Sequence, residues 1–331
     1  MPDTFRAYVV EQVEGGQKGG FRDLTDADLP KEPVLIDVAY SSLNFKDGLA
    51  VTGAGKVIRK FPMVPGIDLA GTVLESTDAA FRPGDQVVTT CWGGMSESTW
   101  GGYTQRQRVN PAHMIHLPKG ITPQQAMAIG TAGYTAMLSV LALEGAGMKP
   151  EQGEVLVTGA AGGVGSVSVA ILSKLGYRVV AATGRPQTHE YLKSLGASAF
   201  IARADLDRIP KPLEKARWAG AVDSVGSKTL ATVLAQLHEE AAVAACGLVG
   251  GTDLPATVHP IILRGVKLLG INALTVSNAT RDKAWARLAT DLDLKKLDAM
   301  TFVEPMSKLE ELAAQILRGE TLGRVVIDTK R

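Results

Sequence analysis

The 331-residue chain is sparing in several things, and each shortage removes a class of explanation. It has two cysteines, Cys91 and Cys246, far apart in the sequence. That count excludes a disulfide framework and a four-cysteine zinc site, and it suggests two reduced core thiols. Charge of one sign is also scarce: 35 Lys and Arg against 34 Asp and Glu leave a formal net charge of +1. Neither bulk attraction to nucleic acid nor to an anionic membrane follows from such a balance. No apolar run approaches the ~20 residues needed to span a bilayer. The first residues, MPDTFRAYVVEQ, lack the basic, apolar and small-residue order of a secretory leader. A soluble, cytoplasmic protein is expected, with no nucleic-acid or membrane partner.

Several catalytic signatures are missing too. A P-loop needs Gly-Lys-Ser/Thr at a helix start, yet Gly165 is followed by Ser166 and Val167, and Gly55-Lys56 by Val57. None of the six tyrosines has a lysine four residues on; Tyr191 and Lys193 are two apart. There is no Gly-x-Ser-x-Gly elbow. Thiolate and imidazole ligands for zinc would have to come from Cys91 and from His113 and His116, in a proline-flanked loop that reads as surface.

What is present is a change of texture. Up to about residue 120 the chain reads as strands divided by Gly and Pro: FRAYVVEQ, EPVLIDVAYSSL, IDLAGTVLES, DQVVTTCW and GGYTQRQRVN. A compact, mostly antiparallel β-domain is expected, plausibly a partly closed barrel. From Ile121 onward small and apolar residues recur at helical spacing, with Thr122 before Pro123 as a helix-start signal. Strand and helix patterns then alternate from EVLVTG to VKLLGINAL, the order of a parallel sheet with helices on both faces. The closing segment is one more helix and a strand whose Val and Ile alternation matches the N-terminal strands and predicts a return to the first domain.

At the head of the alternating region stands VTGAAGGVGS. Gly159, Gly162 and Gly165 fall at three-residue intervals between a strand and a helix, a relaxed dinucleotide fingerprint. The first supports a tight turn, the second lets the backbone approach a pyrophosphate at the helix N-terminus, and the third allows the helix to pack close. At the end of the next strand a cofactor lacking a 2′-phosphate would be met by an acid; here the residues are Thr183, Gly184 and Arg185. A guanidinium pairs with a 2′-phosphate and a carboxylate repels it, so NADPH is preferred over NADH. Arg203 offers a second basic wall, or either arginine is an ordinary solvated residue. Hydride chemistry without a metal is what survives.

Several segments together, SSLNFKDGLAVTGAGKVIRKFPMVPGIDLAGTV, GTAGYTAM, VTGAAGGVGS, TGRPQTHEYLKSLGAS, ACGLVGG and ILRGVKLLGI, resemble the medium-chain dehydrogenase/reductase superfamily. Within it they are similar to the zinc-free, quinone oxidoreductase-like branch and its acryloyl-CoA reductase group. The resemblance implies an α/β protein with a GroES-like β-barrel domain, residues 1–124 with 303–331, and a Rossmann doubly wound parallel-sheet domain, residues 125–302, with the active site in the cleft. It implies that Phe45 lies against the nicotinamide, that Ala161, Gly162, Gly163 and Val164 hold the pyrophosphate with Gly159 and Gly165, and that Thr183, Gly184, Arg185 and Arg203 take the 2′-phosphate. Leu248 and Ile262 would approach the nicotinamide end, or simply pack in the core. Arg324 would reach cofactor or substrate, or be exposed.

The activity implied is hydride transfer from NADPH to the β-carbon of a short α,β-unsaturated acyl-CoA, acryloyl-CoA first, followed by protonation at the α-carbon. Charge developing on the thioester oxygen calls for hydrogen-bond donors. Asn44 and Lys46 are the candidates, although Lys46 can equally pair with Asp47 or Asp68. Asp68 serves either as a structural carboxylate or as a proton relay, with water an alternative proton source. Lys56, Arg59 and Lys60 form a cation cluster suited to the phosphates of an acyl-CoA partner, or a solvated basic loop. The alternatives are a quinone or 2-alkenal reductase and a non-catalytic NADPH-binding sensor. Relatives of this kind pair as homodimers through the last Rossmann strand, for which KLLGINAL is apolar enough.

Overall fold

The computed structural model describes residues 4–331. In chain order the strands are β1 (Phe5–Val13), β2 (Gly16–Leu24), β3 (Val34–Leu43), β4 (Asp68–Ser76), β5 (Gln86–Thr90), β6 (Arg106–Val109), β7 (Ile115–His116), β8 (Glu154–Val157), β9 (Arg178–Thr183), β10 (Ala199–Ala202), β11 (Trp218–Asp223), β12 (Leu237–Ala245), β13 (Lys267–Gly270), β14 (Thr301–Pro305) and β15 (Arg324–Asp328). The α-helices are α1 (Phe45–Thr52), α2 (Pro123–Gly145), α3 (Gly163–Lys174), α4 (His189–Leu195), α5 (Arg203–Leu206), α6 (Ser227–Gln236), α7 (His259–Arg264), α8 (Asn278–Asp291), α9 (Leu294–Ala299) and α10 (Leu309–Leu317). The chain forms two units. One runs to Thr131 and resumes over Thr301–Arg331; the other is Ala132–Met300.

The first unit is built on a seven-stranded sheet in the order β14-β15-β3-β4-β5-β7, with β6 paired to β3. Strand β15 lies antiparallel to β3, Val325 opposite Leu43 and Asp328 opposite Tyr40, so the last strand returns to the N-terminal region as its alternation predicts. Val34, Ile36, Val38, Leu69 and Val87 point one way into a dry layer closed by Phe81, Met95 and Met114. Strand β2 is absent from the sequence reading because GQKGGFRDL is glycine-rich and polar. Its glycines have a packing reason: a side chain at Gly19 would collide with the ring and hydroxyl of Tyr8 across the hairpin.

The second unit carries an all-parallel six-stranded sheet in the order β10-β9-β8-β11-β12-β13. Numbered from β8, this is 3-2-1-4-5-6, the doubly wound order whose reversal between the first and fourth strands opens a crevice at their carboxyl ends. Leu156, Val180, Trp218, Val233, Leu237 and Val243 fill the layer between sheet and helices. Truncating one of the large members to alanine costs about 2–5 kcal/mol.

Helix α2 starts as expected: Thr122 Oγ1 accepts from the Gln125 N–H at 3.2 Å, and Gln125 Oε1 accepts from the Thr122 N–H at 3.1 Å. Two expectations need correction here. The helix is 23 residues long and apolar enough to cross a membrane by length and composition, although 83% of its most apolar window is buried within the protein. It is also not continuous. Gly130 has φ 48° and ψ −162°, and the chain passes from one unit to the other just beyond this break rather than at the helix start.

Candidate active site

The glycine-rich turn joins β8 to α3 at the crevice between β8 and β11. Gly159 takes φ 58°, where any side chain would also meet Ser224 Oγ. At Gly165 a Cβ would lie 2.3 Å from the carbonyl oxygen of Gly159 and 2.6 Å from Ala160 Cα, so the helix can approach the turn only if that residue is glycine. Gly162 caps α3 without a side chain, leaving Gly163, Val164 and Gly165 as the first helical residues, whose N–H groups have no acceptor within the helix. Around the turn the frame is fastened by hydrogen bonds. Thr158 Oγ1 donates to Asp223 Oδ1 (2.7 Å) and accepts from the Ser224 N–H (3.1 Å), and Ser224 Oγ donates to the Thr158 carbonyl (2.9 Å). Burial pushes the Asp223 carboxyl above its ordinary range, opposed by donors from Thr158, Gly226 and Val225.

The adenosine end is equally defined. Thr183 closes β9, and its Oγ1 accepts from the Arg185 N–H at 3.1 Å. Thr188 holds the Arg185 carbonyl through both its hydroxyl (2.7 Å) and its N–H (2.9 Å). Arg203 belongs to the adjacent strand end, being the first residue of α5 rather than a loop residue. Its guanidinium covers Gly184 so closely that a Cβ there would sit 3.0 Å from Arg203 Cζ. Thr183, Gly184, Arg185 and Arg203 therefore stand together as a basic corner at the ends of β9 and β10. These residues fit NADPH: a bare helix N-terminus, a side-chain-free turn, and the Arg203 guanidinium beside Gly184 with Arg185 next in the chain, where a 2′-phosphate would lie.

Leu248 and Ile262 are not core residues: they are 61% and 71% exposed. The Leu248 loop folds back on the fingerprint region, since Gly250 donates its N–H to the Val225 carbonyl at 2.8 Å and Gly247 abuts Ser224. Ile262 sits on α7.

In the first unit, Asn44, Asp47 and Asp68 form one buried cluster. Asn44 precedes α1, and its N–H donates to Asp47 Oδ2 at 2.9 Å. Asp47 Oδ1 accepts from the Ile67 N–H at 2.9 Å, tying α1 to the start of β4. Asp68 is fully buried and accepts four hydrogen bonds, from Ser42 Oγ (2.5 Å), Asn44 Nδ2 (2.9 Å), Thr131 Oγ1 (2.5 Å) and Thr131 N–H (2.8 Å). The last two exist because the helix breaks at Gly130, where a side chain would sit 2.7 Å from Asp68 Oδ2. Arg324 is 2% exposed and donates from Nε to the Ala128 carbonyl (2.6 Å) and from Nη2 to Asn44 Oδ1 (3.3 Å).

This saturation bears on three expectations. The Asn44 amide faces Ser42, Asp47 and Asp68 with its NH2 and Arg324 with its oxygen, so it is committed to the frame rather than aimed at a substrate oxygen. Of the two roles expected for Asp68, its hydrogen bonds to Ser42, Asn44 and Thr131 suit the structural carboxylate. Arg324 is buried rather than exposed; it donates to Asn44 Oδ1 and to the Ala128 carbonyl beside the helix break. Phe45, the residue they position, is 36% exposed.

Lys46 pairs with neither Asp47 nor Asp68. Its Nζ meets Glu97 Oε1, and Glu97 Oε2 lies 3.5 Å from Arg59 Nε. Lys56, Arg59 and Lys60 are all exposed on the loop that follows α1. Glu97, Asp47, Ser42 and Thr131 are absent from the sequence-derived site, and only the glycine-flanked run CWGGMSESTWGG hinted that residue 97 stands at a built turn. Among the described residues no group of three His, Cys, Asp or Glu could hold a metal ion.

Comparison with known proteins gives the same frame. The alcohol dehydrogenase GroES-like domain family matches residues 30–119, and the zinc-binding dehydrogenase family matches residues 163–290. The chain is 50% identical to the acrylyl-CoA reductase of Ruegeria pomeroyi over 98% of this chain and 99% of that protein. It superposes on the Escherichia coli K-12 YhdH structure with bound NADPH at a TM-score of 0.95, with 47% identity over 98% and 99% of the two chains. For the Bacillus subtilis yhfP structure with NAD bound the TM-score is 0.94, with 41% identity over 98% and 99%.

Proposed function

This chain belongs to the zinc-free, quinone oxidoreductase-like branch of the medium-chain dehydrogenases/reductases, and from that we propose that it reduces the C=C bond of acryloyl-CoA to give propionyl-CoA with NADPH. The observation that carries the reading is the basic corner of Arg185 and Arg203 at the end of β9, joined to full-length similarity to an acrylyl-CoA reductase. When bound, NADPH supplies the hydride. The chain's own residues do the rest. The turn Gly159–Gly165 and the α3 N-terminus bind the pyrophosphate, and Thr183, Gly184, Arg185 and Arg203 hold the 2′-phosphate.

The cluster of Asn44, Asp47, Asp68 and Arg324 sets the start of α1 and so the placing of Phe45 and Lys46. Lys46 is the charged donor for the developing negative charge on the thioester oxygen, since its ammonium is partly exposed and the amide of Asn44 is spent. Water delivers the α-proton. Lys56, Arg59 and Lys60 take the phosphates of the CoA moiety as point charges and a fork. Two properties complete the reading. The enzyme is a cytoplasmic homodimer, the pairing supported by the uncovered apolar edge at β13.

NADPH oxidation by the purified protein, with acryloyl-CoA beside crotonyl-CoA, free acrylate and a benzoquinone, and again with NADH, tests the reading. Turnover concentrated on acryloyl-CoA with NADPH is expected. Turnover of quinone alone would keep the cofactor and remove the CoA assignment, and no turnover on any substrate would favour a binding protein.

A further inference from the structure

Glu97 joins two cations that the reaction would use at opposite ends of its substrate. Its carboxylate meets Lys46 Nζ on one oxygen and Arg59 Nε on the other, at 3.5 Å. Its backbone carbonyl accepts from the N–H groups of Arg59 (2.7 Å) and Lys60 (3.3 Å). One residue thus fastens both the main chain and a side chain of the basic loop, and ties that loop to the first turn of α1.

The turn that presents Glu97 is itself stiff. Gly94 O accepts from the N–H groups of Glu97, Ser98 and Thr99, Ser96 N–H donates to the Thr99 carbonyl, and Thr99 Oγ1 closes on the Gly93 carbonyl. Gly93, Gly94 and Ser96 all take positive φ, with Met95 buried between them. Arg59 is 74% exposed, with its Nε 3.5 Å from Glu97 Oε2, so most of its guanidinium faces solvent, where an anion can reach it. Lys56 and Lys60 are exposed on either side of it.

We infer that Glu97 is a positioning residue for the acyl-CoA substrate. It holds the 56–60 loop at a set distance from Lys46, so that a ligand whose phosphates lie on the loop has its thioester carbonyl beside that ammonium. The inference rests on the reading that this loop takes the CoA phosphates. A substrate with only one of the two ends gains nothing from a fixed separation.

The test compares acryloyl-CoA with acryloyl-pantetheine, which has the same thioester and no phosphates. Glu97→Gln keeps the size and the backbone carbonyl and removes the charge; Glu97→Ala removes the carboxylate entirely. Both are expected to raise KM for acryloyl-CoA about fivefold, the scale of losing a partly exposed ion-pair network. Both thioesters use the Lys46 ammonium that Glu97 meets, so kcat/KM for acryloyl-pantetheine is expected to fall as well but by clearly less than for acryloyl-CoA, with the melting temperature and NADPH affinity of Glu97→Gln unchanged. Equal losses on both thioesters, or no change on either, would overturn the inference. A Lys56→Ala, Lys60→Ala double variant separates the two layers. If it leaves KM for acryloyl-CoA unchanged, the phosphate reading falls. If it raises KM while the Glu97 variants do not, the positioning role alone falls.

Discussion

Asp47 and Asp68 share one amide: Asn44 Nδ2 lies 3.0 Å from Asp47 Oδ2 and 2.9 Å from Asp68 Oδ2. Two carboxylates this close in a buried place do not both ionise at little cost. Burial first, and then the charge of Asp68, push the Asp47 carboxyl up to about 7, against the pull of the Ile67 N–H and the Asn44 donors. The folded state therefore keeps a proton that the unfolded chain has released above its ordinary carboxylate pKa.

Stability should fall as pH rises between about 4 and about 7, with a contribution from this group of at most about 1.4 kcal/mol per pH unit, and level off above. Asp47→Asn cannot titrate. The stability difference between the natural protein and Asp47→Asn, measured by thermal or urea unfolding at pH 5, 6, 7 and 8, should shrink toward higher pH. A difference that stays flat would mean that Asp47 is ionised throughout.

Gly130 supports a second prediction. Its positive φ disfavours any side chain, and the space a Cβ would need is held by Asp68 Oδ2 at 2.7 Å and Arg324 Nη2 at 2.8 Å. Gly130→Ala should destabilise the protein by about 2–4 kcal/mol through strain and disturbed buried hydrogen bonds, read as a lower urea midpoint. An alanine tolerated within about 0.5 kcal/mol would show that the helix break is not needed.

What the sequence disclosed follows the range of the interactions. The Gly159–Gly165 turn and the β-α alternation are local, encoded within a few residues, and they were legible. The parallel sheet followed from that alternation, while its doubly wound order was implied by the family resemblance. The break at Gly130 was not, because GTAGYTAM has helical spacing and the reason for the break lies 62 residues upstream, in the unmet acceptors of Asp68. The same holds for Lys46, whose partner Glu97 is 51 residues away. Arg324 reaches Asn44 over 280 residues, and only the return of β15 to β3 brings them together. Strand β2 was hidden by glycines whose purpose is the ring of Tyr8.

The free edge of β13 motivates a third prediction. Leu268 on that strand is 40% exposed, and Leu263 on neighbouring α7 is more exposed still. An apolar edge of this kind is a template for pairing with a second copy. The protein should run as a dimer in light scattering at micromolar concentration, and Leu268→Lys should shift it to monomer without lowering the NADPH affinity. A monomer before substitution would remove the homodimer from the reading.

The cofactor corner gives the fourth. The Arg203 guanidinium lies over Gly184, and the main chain of Arg185 is braced by Thr183 and Thr188, so the backbone of the corner is fixed where the two arginines leave it. Hydrogen bonds to a charged partner are worth about 1.5–3 kcal/mol each, which is roughly 10- to 100-fold in affinity. Arg185→Ala should weaken NADPH by about that factor, and the Arg185→Ala, Arg203→Ala pair by more. NADH, with no 2′-phosphate, should bind as before. Gly165→Ala is the contrast: by forcing α3 away from the Gly159 carbonyl it should weaken NADPH and NADH alike. Titration of both cofactors by tryptophan fluorescence quenching measures the natural protein and all three variants. If the arginine variants lose NADH as much as NADPH, the corner is a structural element of the β9–β10 end and not the seat of cofactor choice.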